Sequence, residues 1–384
     1  QQTRNEEKTN TQLKIKFPIK QLPEGDDEIT VPFTTTLKIQ EDKTVTIEME
    51  NLDTEFVING SIERTMNRIE EKIAQTHYEG KKEAHKIIYE SDQRPIDSEV
   101  DPTKEMVDRN WISRASTKGK WVYWAPAVAI FNAMEKIVIE EVLKPLNFQE
   151  MINSNIVSGE DVWLKTGHLG GMPMELYYVA EPATRNVKKW ETFVDKVKIT
   201  KKVPYDELKK MVQLDPLKGL SYAQCPPIYW SLKGKTIDVD SFPIYLFERT
   251  NNSFRYEAGG RHGIERVDEF HRIEVVFIGK PETLIGLHEQ ILERYKRIFN
   301  EILQLEWRMA SVTPFYQQQA GDIFDQDAET KDIKVGTIDY EAWLPYRGAR
   351  EDSEWLEFQN ISIVGEKYID AFNIKHQKGE DLWS

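Results

Sequence analysis

Leu13, Ile15, Phe17 and Ile19 alternate with Lys14, Lys16 and Lys20, a period of two that predicts a strand with one apolar and one basic face. Gly25-Asp26-Asp27 interrupts it. The alternation returns at Leu37 and Ile39 and at Val45, Ile47 and Met49, with Glu41-Asp42-Lys43 between them, which predicts a hairpin. At Ile62, Met66, Ile69 and Ile73 the spacing lengthens to three and four residues, the core stripe of a helix that Ser61 is placed to cap. Arg64, Arg68 and Lys72 fall on another face of that helix as a basic stripe.

Glu90 to Thr103 is polar and contains proline, and reads as a linker. Residues 1–90 are therefore expected to form a small α+β module and residues 91–384 a larger domain. From Trp111 the chain turns aromatic-rich. Pro126 opens a predicted helix carrying Ile130, Met134, Ile137, Val138 and Val142, which Pro145 ends. Residues 184–218 read as helical and basic, with Arg185, Lys188, Lys189, Lys196, Lys198, Lys201 and Lys202 only lightly offset by Glu191 and Asp195. Tyr245 to Phe247 and Phe254 to Ile278 read as strands around a Gly-rich turn, and a long helix is predicted from Pro281 to Arg308.

Composition narrows the class. The 384 residues are 39% hydrophobic and 30% charged, enough apolar payload for a sizeable core. A net charge of −14, from 51 basic and 65 acidic side chains, opposes non-specific attachment to nucleic acid, although a local basic patch can still dock RNA. No run of ~18 apolar residues exists to span a membrane. One cysteine excludes an internal disulfide and fits a reducing compartment, so a cytoplasmic protein is expected. The start, Gln1-Gln2-Thr3-Arg4-Asn5, has neither an initiator Met nor a signal-like apolar run, and the chain reads as a piece of something longer.

Phosphate-loop, HExxH and GxSxG signatures are absent, and no GxGxxG follows a strand. The densest polar constellation is 249–274. Arg255 and Glu257, two apart, share a strand face; Gly259, Gly260 and Gly263 make a loop holding Arg261 and His262; Glu265, Arg266, Asp268 and Glu269 lead back to Phe270-His271-Arg272-Ile273-Glu274. A guanidinium fork beside a flexible loop suits a phosphate, and a salt-bridged hairpin is the plainer alternative. A second cluster, Glu341 with Glu357, Asn360 and Ser362, offers oxygen ligands for a divalent metal or a substrate amine, or two solvated acidic strands. Cys225, alone between Gln224 and Pro226-Pro227, is by itself an ordinary packing cysteine.

Phe254-Arg255-Tyr256-Glu257, the Gly loop and Phe270 to Glu274 resemble motif 2 of class II aminoacyl-tRNA synthetases. Tyr222 to Pro227, Gly263 to Phe270 and Trp355 to Ser362 are similar to the atypical, zinc-dependent seryl-tRNA synthetases of methanogenic archaea, a likeness running from about Ile29 to Ser384. The resemblance implies a six- or seven-stranded antiparallel sheet flanked by helices, in a homodimer. It implies activation of serine with ATP and Mg²⁺ and transfer to serine tRNA. Arg255 would grip the α-phosphate, Glu257 would lie near the adenine and Arg266 at the outer phosphates, while Glu357 would help hold Mg²⁺. Cys225 and Glu274 match two ligands of a Zn²⁺ that takes the serine amino group, Phe315 an aromatic of a serine-ordering loop, and Asn360 a position near the serine hydroxyl. The third zinc ligand, in a Gly-Cys-Ser stretch, and motif 3 would follow Ser384. Residues 1 to about 80 look like half of a tRNA-binding domain, with Arg64, Arg68 and Lys72 as RNA contacts, and 184–218 like a helix-turn-helix insertion. Two other readings stay open: a relative that kept the fold but only binds or regulates, and a ligase that loads an amino acid onto a carrier protein.

Overall fold

The computed structural model describes residues 12–24, 29–77, 85–95, 99–257, 260–312, 336–353 and 355–384. They divide into two compact units, one ending at residue 77 and the other starting at residue 85. In the first, strands β1 (Leu13–Pro18), β2 (Thr36–Gln40) and β3 (Thr44–Met49) make an antiparallel sheet with β3 in the middle. Being central, β3 buries Val45, Ile47 and Met49 completely, against Ile69 and Ile73 of the helix α2 (Ser61–Thr76) that follows the short α1 (Thr54–Ile58). The expected cap is displaced. Asn59 Oδ1, not the Ser61 side chain, accepts the Ser61 backbone N–H at 3.0 Å and its hydroxyl at 2.6 Å.

The second unit begins earlier than residue 91. Its elements, in chain order, are β4 (His85–Glu90), α3 (Pro102–Asp108), β5 (Ile112–Arg114), β6 (Trp121–Tyr123), α4 (Ala125–Val138) and β7 (Gln149–Glu150). There follow α5 (Val187–Thr200), α6 (Tyr205–Met211), α7 (Cys225–Ser231), β8 (Ile244–Glu248), β9 (Asn252–Phe254), β10 (Glu269–His271), β11 (Glu274–Ile278) and α8 (Pro281–Arg297). Three long strands follow, β12 (Trp307–Val312), β13 (Gly336–Ala342) and β14 (Leu356–Ile363), before a short helix, Lys367–Ala371, and a short strand, Lys375–His376.

Rather than one continuous six- or seven-stranded sheet, the described strands of this unit form an antiparallel four-stranded sheet, β14-β13-β12-β4, a three-stranded one in which β8 pairs antiparallel with β11 and parallel with β7, and several two-stranded pairs, among them β5–β6 and the β9–β10 hairpin. Helix α8 packs its buried Leu284, Leu287, Ile291 and Tyr295 into the same core as the fully buried Trp307 and Tyr340, whose rings stack 5.7 Å apart. The fold is α+β.

Two sequence expectations are corrected here. The helix predicted to reach Arg308 ends in a π-turn at Ile298–Ile302; Gln304 then turns with φ +53° and Trp307 enters the sheet, where its indole is buried against Tyr89, Phe299 and Tyr340. The stretch read as a linker is tied into this unit. His85–Glu90 is its edge strand, Ser91 N–H bonds the Trp307 carbonyl at 2.9 Å, and Arg94 donates to the carbonyls of Asn300 at 2.6 Å and Leu305 at 3.2 Å. Asp101 then caps α3 through Thr103 N–H at 2.8 Å.

Candidate active site

The β9–β10 ladder sets Phe254 opposite Glu269 and Ser253 opposite Phe270, and extends one step as Arg255 N–H bonds the Asp268 carbonyl at 2.9 Å. Pleating then turns the Arg255 side chain to one face, over the rings of Tyr222 at 4.6 Å and Phe270 at 5.7 Å. Its Nε is buried and has no hydrogen-bond partner. A half-buried cation with a buried, unmet donor is what an incoming anion would satisfy.

Asp268 fixes the hairpin that carries Arg255. Completely buried, it accepts the Arg261 fork at 2.7 and 2.6 Å, the Tyr177 hydroxyl, and Glu257 N–H at 3.2 Å. Burial alone would raise its carboxyl; Arg261 and Tyr177 instead hold it below the ordinary aspartate value. Burial and this carboxylate push Tyr177 up to about 12. Gly119 is required beside it: with φ +75°, a Cβ there would sit 2.5 Å from Arg261 Nε and 2.6 Å from Asp268 Cγ. Gly119→Ala is expected to destabilise the unit by roughly 1–3 kcal/mol, read from the midpoint of urea unfolding. An unchanged midpoint would show that the hairpin has slack there.

Beyond Arg255, the half-buried Glu257 accepts Arg266 Nε at 2.6 Å, while Arg266 itself stays exposed. Gly259 lies outside the described residues, as does Phe315.

On the neighbouring elements, Cys225 opens α7 and Glu274 opens β11, and the carboxylate is near enough to act on the thiol. Burial, then the Glu274 charge, push the thiol well above its ordinary value, against the pull of Arg272. Arg272 pairs with Glu274 and donates to Gln224 at 3.2 Å, fixing the carboxylate from behind. A sulfur and an oxygen donor 49 residues apart in sequence thus come together, two donors of types that Zn²⁺ accepts.

Sequence reading passed over His168, which is buried on Thr166 at 2.7 Å and edge-on to Tyr222 at 5.8 Å. Burial, then the Lys367, Arg255 and Arg272 cations, hold it at about 4, so it is neutral near pH 7. Only its place after Gly167 at the start of a one-turn helix marked it, and seven scattered histidines gave no spacing to exploit.

The acidic cluster on β13 and β14 separates into two parts. Glu341 is committed, to Arg308 at 2.5 Å and to His85 at 2.7 Å, and Ser362 bonds Thr337 at 2.7 Å. Glu357 and Asn360 are exposed and bonded to each other at 3.1 Å. Three apart, they would face opposite ways in a regular strand; the ladder pairs Tyr340 with Gln359 and Glu341 with Glu357, and the bulge at Phe358 returns them to one face.

In the first unit the basic stripe is partly engaged. Arg64 donates to the Asn59 carbonyl at 2.8 Å and to Ser61 at 2.9 Å, Arg68 to Glu71 at 2.7 Å, and Lys72 to the Thr30 carbonyl at 2.5 Å. Arg64 and Arg68 remain exposed. Among the described residues a further group of metal-ligand types gathers, Asp240, His376 and Glu380. Lys280 already pairs with both of its carboxylates and Lys378 with Asp240 at 2.6 Å, so its charge is balanced without an ion. No helix among the described residues is long and apolar enough to cross a membrane.

No family model matches the chain. It is similar to the type-2 serine–tRNA ligase of Methanococcoides burtonii, 47% identical over 322 residues that cover 84% of this chain and 62% of that protein. The type-2 serine–tRNA ligase of Methanopyrus kandleri is 30% identical over 369 residues, covering 94% of this chain and 68% of its own length. The chain thus spans about three fifths to two thirds of the curated relatives it matches. Among solved structures, M. kandleri SerRS in complex with A. aeolicus tRNASec superposes with a TM-score of 0.80 at 26% identity, over 97% of this chain and 71% of that one. The cytoplasmic serine–tRNA ligase of Naegleria fowleri in complex with AMP shares the fold, with a TM-score of 0.55 at 16% identity over 86% of this chain and 74% of its own. On these likenesses, the chain belongs to the type-2 serine–tRNA ligase family of class II aminoacyl-tRNA synthetases.

Proposed function

We propose that the protein activates serine with ATP, forming seryl-adenylate and pyrophosphate, and then passes the seryl group to the terminal adenosine of serine tRNA. The observation that carries this reading is Arg255, a half-buried guanidinium with a buried, unmet Nε, on a hairpin whose second strand leads within three residues to Glu274 of the Cys225–Glu274 pair. In the activation step the serine carboxylate attacks the α-phosphorus and pyrophosphate leaves. Arg255, held by its two ring faces, meets the charge that grows on the α-phosphate oxygens. Glu257 lies at the adenine end, and Arg266 exchanges Glu257 for the outer phosphates. Glu357 and Asn360 are the residues that would hold Mg²⁺, with Asn360 also reaching the serine hydroxyl.

Cys225 and Glu274 would hold Zn²⁺, which when bound supplies a Lewis-acid position for the serine amino group. Arg272 orients the carboxylate from outside, as groups behind a metal ligand do. Such a site separates amines from hydroxy acids by donor type. Threonine is a harder case, since one methyl group is worth only about 1–3 kcal/mol in a pocket. Phe315 completes the serine site in this reading.

In this reading the protein pairs with a second copy. Helix α4 leaves Ile130 45% and Met134 50% exposed one turn apart, apolar surface that a homodimer would cover. The first unit would dock tRNA through Arg64, Arg68 and Lys72, with the α5–α6 insertion adding basic surface.

Serine-dependent ATP–pyrophosphate exchange by the full-length protein, with zinc present, is the test. Absence of exchange would leave a binding or regulatory relative as the better reading, and loading of a carrier protein in preference to tRNA would favour the ligase alternative. For the RNA face, Arg64→Glu with Arg68→Glu is expected to weaken tRNA binding and to lower the salt slope by about 1–2 while sparing exchange, measured by filter binding across a salt series. Equal loss of exchange would mark a folding defect instead.

A further inference from the structure

The loop 260–266 is fastened to three separate elements. Trp121 of β6 donates Nε1–H to the Gly263 carbonyl at 2.8 Å. Thr103 of α3 accepts Ile264 N–H at 3.0 Å, and Gly263, with φ +48°, has no room for a Cβ against that hydroxyl. The third anchor is Arg347, at the end of a short 3₁₀ turn, Pro345–Arg347. Its guanidinium pairs with Glu265, whose side chain is only 5% exposed, and donates to His262 Nδ1 at 3.1 Å. His262 in turn faces Glu265 at 3.4 Å. Next in sequence, the exposed Arg266 gives its side chain to Glu257, while its backbone exchanges hydrogen bonds with His262 at 3.0 and 2.9 Å.

A buried carboxylate has to keep its cation, so Glu265 cannot leave Arg347 without an electrostatic cost. That fixes the backbone one residue from Arg266. We propose that Arg347 is a positioning residue for ATP: by clamping Glu265 it sets the point from which Arg266 swings between Glu257 and the outer phosphates. The inference rests on the reading of this chain as a serine–tRNA ligase. It adds a residue outside the hairpin to the nucleotide end of the site.

The test uses the full-length protein with Arg347→Met, Glu265→Gln, both together, and Arg347→Lys. In pyrophosphate exchange, each single variant is expected to raise the KM for ATP by about tenfold with kcat changed less than about threefold, because loose positioning weakens binding before chemistry. The double variant should be no worse than either single, and Arg347→Lys should recover part of the loss. In parallel, limited trypsin digestion should cut after Arg261 or Arg266 faster in Arg347→Met than in the unaltered protein. An unchanged KM for ATP in an active enzyme, or additive effects in the double variant, would overturn the clamp. If the unaltered protein shows no exchange, the functional reading fails, and the trypsin comparison still decides whether Arg347 holds the loop.

Discussion

Arg255→Ala is expected to lower kcat for serine-dependent pyrophosphate exchange by about 10²–10³-fold, the loss seen when one fixed donor to a developing anion is removed. Thermal unfolding should move little, since the hairpin is held by the backbone bond from Arg255 N–H and by Asp268, neither of which the substitution removes. What the side chain gives the resting protein is its packing over Tyr222 and Phe270, worth about 1–2 kcal/mol. Arg255→Lys should recover little, because a point charge on a flexible stem does not reproduce a guanidinium stacked between two rings. Exchange within tenfold of the unaltered enzyme would sink the phosphate role.

The second large effect is expected at Cys225. Cys225→Ser should abolish tight zinc retention and reduce serine activation at least about 100-fold, since one donor of the set is lost. The pH dependence has a definite sign. The thiol sits well above its ordinary value through burial and the Glu274 charge, and zinc must displace its proton. Affinity should therefore rise about tenfold for each pH unit below the thiol pKa, and that slope should shrink in Cys225→Ser. Competition with a chelating dye over pH 6 to 8.5, a range chosen as roughly bracketing neutrality, reads both quantities. Stoichiometric zinc in the serine variant would remove Cys225 from the ligand set.

Much of the frame was legible from periodicity. Alternation marked β1, β2 and β3, and the three-and-four spacing placed Ile69 and Ile73 in the core. Periodicity failed where one apolar run serves two elements in succession: Phe299 and Trp307 continue a helical-looking stripe, yet one closes a helix and the other begins a strand. The linker reading failed for another reason. Ser91 and Arg94 are polar, but they bond backbone groups of buried elements, which no hydropathy pattern records.

At the candidate site, Arg255, Glu257 and Arg266 stood out because they are close in sequence. The meeting of Cys225 with Glu274 came from family likeness alone. Glu357 and Asn360 share a face only through a bulge that strand periodicity does not foresee. Asp268 was one acid among several in the constellation and Gly119 was not singled out, because a buried acceptor and a forbidden Cβ acquire meaning only in three dimensions.

Asp268 has a further consequence. Its carboxyl is held below the value it would have in the unfolded chain, so the stabilisation it contributes is present above that unfolded value, roughly pH 4, and is lost as pH falls through the folded one. In acid the Arg261 fork, the Tyr177 hydroxyl and the Glu257 N–H would face a protonated group with less to offer each of them. The strand pair that presents Arg255 is thus anchored on an ionisation, and acidification should slacken it ahead of the apolar core around Trp307 and Tyr340, which carries no comparable charge.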